Sequence, residues 1–144
     1  MVRQVSTADI LASPYAAELL KDYAAECSIP LIGQINPQPE IYAALEQAGV
    51  LTGFGFYEGK RLVGFGTVLT TILPHYGKKV ATVESIYAKR GGKDLMEAIE
   101  AYARGVGCVA IFYSAPAGGR LEDLLLLKKN FSHTNTIFCK GLAC

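Results

Sequence analysis

A chain of 144 residues suits one domain around one core, so the sequence predicts a single domain over residues 1–144. Its formal net charge of +1 gives no overall electrostatic ground for binding nucleic acid or a membrane, and no run approaches the ~20 apolar residues of a membrane span. Hydrophobic residues make up 51% and charged residues 19%, an ordinary globular balance. The stretch from Met1 to Asp9 lacks the apolar core of a signal peptide, and the expectation is a protein kept in the cytoplasm.

Val2 to Ser6 reads as a first strand. Thr7 or Asp9 can cap a helix near Ile10, and Ser13-Pro14 looks like a restart with Ser13 as N-cap and Pro14 at the first helical position. Tyr15, Leu19 and Tyr23 recur every four residues and predict an inward face. The segment from Ile29 to Pro39 holds three of the six prolines and reads as a loop. A helix follows from Pro39 to Ala48, stopped by Gly49. Leu51 to Tyr57 and Arg61 to Thr71 are aromatic and β-branched, with Glu58-Gly59-Lys60 between them as a hairpin turn. A second turn from Pro74 to Lys79 feeds a strand over Val80 to Ala88. A helix from Asp94 to Arg104 ends at Gly105, and the apolar run from Cys108 to Tyr113 predicts a central strand buried on both faces. A last helix covers Leu121 to Lys129, and Ser132 to Lys140 closes as a strand. This is an α+β pattern with helices on a mostly antiparallel sheet.

The stretch from Ala81 to Arg104 carries the chemistry. A strand meets a basic, glycine-rich loop, Lys89-Arg90-Gly91-Gly92-Lys93, that opens into a helix. Free N–H groups and the positive end of the helix dipole then point at one spot, which makes an anion cradle. Glu84 is the one carboxylate in a nearly uncharged strand. Burial among Val83, Ile86 and Phe65 would raise its pKa toward that of a useful base; the alternatives are a solvent-facing glutamate or a pair with Lys79. By alternation, Tyr87 shares a side with Ser85, opposite Glu84 and Ile86. Cys27, Cys108, Cys139 and Cys144 form no C-x-x-C and share no ligand spacing with His75 or His133, so no metal site is predicted. The first three read as buried thiols, and Cys144 as an exposed one able to cross-link dimers.

The order of these elements resembles the GNAT acyltransferases from about Gly53 to Leu142. The resemblance rests on the hairpin with Gly64-Phe65-Gly66, on Glu84 to Ala88 followed by Arg90-Gly91-Gly92 and Leu95-Met96, and on Leu124 to Phe131. It implies a GNAT-like mixed, mostly antiparallel sheet flanked by about four helices. It also implies an N-acetyltransferase moving acetyl from acetyl-CoA to a small-molecule or peptide amine in a ternary complex. In that reading Glu84 is the base, and Ser114 or Tyr113 at the end of the fifth strand stands in for an acid. The backbones of Ile86, Tyr87 and Ala88 receive the pantetheine arm, and Arg90, Gly91, Gly92, Lys93 and Asp94 hold the pyrophosphate. Two departures support an alternative, a GNAT-like acyl-CoA-binding or assembly module without catalysis: the loop is short, and Leu126 stands where many members carry an acidic tyrosine. Arg90 takes the place of the family's first glycine, but the Arg90–Lys93 cluster and Glu84 favour the enzyme. A homodimer is left open.

Overall fold

A computed structural model of the protein describes residues 1–142; Cys144 lies outside the described residues. Its elements in chain order are β1 (Val2–Val5), α1 (Thr7–Ala12), α2 (Ala16–Cys27), α3 (Pro39–Gln47), β2 (Leu51–Glu58), β3 (Arg61–Leu73), β4 (Lys78–Ala88), α4 (Gly92–Gly105), β5 (Ala110–Tyr113) and α5 (Arg120–Leu127). The strands lie in the order β1-β2-β3-β4-β5, antiparallel except for the parallel β4–β5 pair that α4 connects.

Each face of the sheet has its own core. On one face α4 buries Leu95, Met96, Ile99 and Ala103, residues that recur at helical spacing, and packs Leu95, Ile99 and Ala103 on Phe54, Val68, Ala81 and Val83. Asp94 in its first turn and Arg104 in its last both suit the helix dipole. The helix lies close to β3 because Gly66 has no side chain; a Cβ there would stand 2.8 Å from Ile99 Cδ1. On the other face Ile10 of α1 and Leu19 of α2 pack on Leu62 and Phe65, with Tyr15 and Tyr23 beside them as the spacing predicts. The α3 helix joins this layer through Glu46, whose Oε1 accepts from the Thr7 N–H at 2.7 Å.

Five sequence expectations need correction. Ser6, not Thr7 or Asp9, caps α1, accepting from the Asp9 N–H through its side chain. The restart at Ser13 is a turn, and α2 begins at Ala16. β5 is an edge strand in the described sheet, since it pairs only with β4 through Val80 to Val83, and Val109 is 66% exposed. Its far edge lacks a partner because Ser132 to Lys140 takes no strand pairing. Cys139 in that segment is consequently exposed, while Cys27 and Cys108 are half-buried.

Candidate active site

The register between β3 and β4 slips by one residue at the site. Thr67 pairs with Ser85 and Val68 with Val83, so Glu84 has no partner across the ladder. Such a bulge re-aims the extra residue and bends its strand. Without it, Glu84 and Ser85 would face opposite sides of the sheet. With it, both line the same cavity on the α1–α3 face, together with Phe65 and Thr67. Tyr87 packs on this face as well, and Ile86 and Ala88 return to the α4 side. The expected opposition of Glu84 to Ser85 and Tyr87 is therefore corrected by the bulge.

Two hydroxyls hold Glu84, and a third supports them. The Thr67 hydroxyl donates to Oε2 at 2.6 Å, and the Tyr42 phenol donates toward both oxygens at 3.1 Å. Thr67 Oγ1 lies 2.7 Å from Ser85 Oγ. A threonine hydroxyl has one proton, so with that proton on Glu84 it is Ser85 that donates to Thr67. Glu84 is exposed, which corrects the expectation of burial, and it is not paired with Lys79, whose Nζ donates to the Val106 carbonyl at 3.0 Å. Burial, then the charge and hydrogen bond of Glu84, hold the Tyr42 phenol well above its ordinary range, so it remains a donor. Burial, aided by the charges of Cys27 and Glu84, pushes Tyr23 in the same cavity up to about 12.

Beside the bulge the sheet opens. The β4–β5 pairing ends at Val83 with Tyr113, while β4 continues to pair with β3 as far as Ala88. From Glu84 to Ala88 the edge of β4 that faced β5 has no strand beside it among the described residues. Ser114 is the first residue past the last pair, and it is exposed. Tyr113 points elsewhere: it packs on the α4 core, and its phenol donates to Glu100 Oε1 at 3.1 Å. It therefore does not share the Glu84 cavity.

At the end of β4 the loop turns through Gly91, which has φ +75°, and a Cβ there would meet the Phe56 ring at 2.5 Å. Only glycine meets both demands without strain. Gly91 is also the N-cap of α4, and no side chain caps that end. The first N–H groups of the helix, at Gly92, Lys93 and Asp94, thus keep their hydrogen-bonding capacity for an anion. Arg90 pairs with Glu58 at 2.9 Å and Lys93 with Glu97 at 3.7 Å, and both cations are mostly exposed, so a stronger anion can recruit them. Sequence reasoning missed Arg120, which ends the open edge. Its Nη2 donates to the Ala88 carbonyl at 3.3 Å, its Nε to Glu26 at 2.9 Å, and its guanidinium lies 5.3 Å from the centre of the Tyr87 ring. It missed Tyr42 too, since a tyrosine on one helix gives no sign of a partner on a distant strand.

This fold, a mixed sheet with one parallel pair, is the fold of solved GNAT acetyltransferases. Solved structures share it along nearly their whole length. Glucosamine-6-phosphate N-acetyltransferase from Arabidopsis thaliana is 13% identical, with 99% of this chain and 98% of that one aligned at a TM-score of 0.71. Ribosomal-protein-alanine N-acetyltransferase from Brucella melitensis biovar Abortus 2308 is 19% identical over 97% and 96% of the two chains, TM-score 0.67. A GNAT family acetyltransferase from Staphylococcus aureus subsp. aureus USA300_TCH1516 is 14% identical over 99% and 98%, TM-score 0.67. No protein-family model matches the chain, and no curated protein matches it in sequence.

Proposed function

We propose that the protein is an N-acetyltransferase that moves the acetyl group of acetyl-CoA to a primary amine by direct attack in a ternary complex. The observation that carries this reading is Glu84, turned by the bulge into a cavity just where β4 and β5 part. The open edge from Glu84 to Ala88 suits an extended amide-bearing arm, and the uncapped α4 N-terminus beyond it suits a pyrophosphate. Ile86, Tyr87 and Ala88 would hold the first, and Arg90, Gly91, Gly92, Lys93 and Asp94 the second. Acetyl-CoA, when bound, supplies an acyl thioester: the amine nitrogen forms the new C–N bond, the C–S bond breaks, and the thiol leaves with a proton.

Glu84 takes the proton that an ammonium must lose before its nitrogen can attack, directly or through one water. Thr67 and Tyr42 fix both of its oxygens, so the carboxylate is aimed before the substrate arrives. N–H groups along the open edge of β4 can polarise the reacting carbonyl. Ser114, one residue past the β4–β5 pairing, relays to the departing sulfur the second proton that the amine nitrogen gives up on forming the amide, and so ends as the hydroxyl it began as. A second reading, a binding module without catalysis, draws on Leu126, which is 62% exposed on α5 and offers no acid. A thermal-shift titration with acetyl-CoA, followed by thiol release with a panel of amines, separates the two. A rise in melting temperature with turnover supports the enzyme; a rise without turnover supports the module, and no rise overturns both.

A further inference from the structure

The walls around Glu84 select among amines. The cavity has a volume of about 250 Å³, and its apolar lining comes from Ile10, Leu11, Leu20, Ile35 and Phe65. Glu84 is the only lining residue with an acidic or basic side chain other than the phenols of Tyr23 and Tyr42; no arginine, lysine or histidine lines the cavity among the described residues. A second cavity of about 220 Å³ shares Tyr42 and Glu84, is walled by Ile41, Leu45 and Leu51, and likewise holds no cation. The carboxylate therefore stands between two apolar hollows, whichever one receives the acceptor.

We infer that the acceptor is a small monoamine with an apolar body, an alkylamine or arylalkylamine; this rests on the acetyltransferase reading and narrows it. One carboxylate neutralises one ammonium. A second ammonium, as in a polyamine, would enter an apolar hollow unpaired, which is costly. The carboxylate of a free amino acid or the phosphate of a sugar phosphate would find no cation and would face Glu84 instead. A body rich in hydroxyls would outnumber the few neutral polar groups of the lining, Thr7, Asn36, Thr67 and Ser85, and bury the rest of its donors among Ile10, Leu20 and Phe65. Size agrees with the chemistry. An apolar cavity of about 150 Å³ accommodates benzene. The larger cavity here leaves room for a ring and a short aminoalkyl arm. The rings of Tyr23 and Phe65, packed edge to face with centres 5.7 Å apart, line the same cavity and add aromatic surface for an apolar body.

The test measures dissociation constants by calorimetry on the native protein, alongside thiol release from acetyl-CoA. Phenethylamine and hexylamine should bind at least about ten-fold tighter than spermidine, glutamate or glucosamine 6-phosphate. Phenethyl alcohol, which keeps the body and lacks the charge, should bind at least about ten-fold more weakly than phenethylamine. Leu11 is half-buried on the cavity wall, so Leu11→Glu adds a second carboxylate without emptying the core. This variant should shift preference from hexylamine toward diaminohexane by about ten-fold. Tighter binding of spermidine, glutamate or the sugar phosphate by the native protein, or equal binding of the alcohol, overturns the inference. Selective binding of the apolar amines without thiol release refutes acetyl transfer and leaves the cavity's selectivity standing. Thiol release driven best by a polyamine, an amino acid or a peptide does the reverse.

Discussion

Glu84 owes its direction to a missing backbone partner, and its orientation to a residue 42 positions away in sequence. Its chemical type was legible, because a single carboxylate in an apolar strand stands out. Its side of the sheet was not: a bulge adds one residue to a ladder and leaves no mark in composition, so strict alternation put Glu84 opposite Ser85. Tyr42 was invisible for a related reason, since only the packing of α3 brings its phenol to the strand. Tyr42→Phe keeps the ring and removes the donor. Turnover should fall by about ten-fold to a hundred-fold with CoA affinity unchanged, measured by steady-state thiol release and calorimetry. The half-buried phenols also set an alkaline limit on stability. Tyr23, Tyr42 and Tyr113 are all raised from an ordinary value of 10.0, chiefly by burial. Above that pH the unfolded chain releases these protons and the folded one retains them, so stability is full below about pH 10 and declines as pH rises past it. Ultraviolet titration should show these tyrosines ionising only with loss of near-ultraviolet circular dichroism, and Tyr113→Phe should make the alkaline decline shallower.

The strand, loop and helix from Lys78 to Gly105 were the most legible elements, because the period changes from two to three-and-a-half across a pair of glycines. Gly91 bears most on that junction, having both a positive φ and a ring against the place of its Cβ. Gly91→Ala should cost about 1–3 kcal/mol in chemical denaturation and weaken CoA binding as well. Arg90→Ala with Lys93→Ala should leave stability near native, as their pairs are exposed, yet weaken CoA by about 1–3 kcal/mol in calorimetry. β5 was misread because an apolar run records hydrophobicity and not which edges find partners. The closing strand expected over Ser132 to Lys140 does not form, since β-branched residues alone do not secure a pairing.

Across the whole molecule, two cores on opposite faces of one sheet divide the work. The α4 core fixes the helix whose N-terminus would face the pyrophosphate, and the α1–α2 core walls the cavity proposed for the acceptor. β4 runs between them and carries both the carboxylate and the edge that opens beside it. The central claim is that Glu84 is the base at that opening. Turnover of the native protein and of Glu84→Gln, compared across pH with one apolar amine, tests it most directly. The amide keeps the shape and loses the proton acceptor, so turnover at neutral pH should fall by about 10²–10⁴-fold, with CoA affinity unchanged. The deficit should shrink as rising pH supplies free amine. Native turnover by Glu84→Gln at neutral pH would contradict the account.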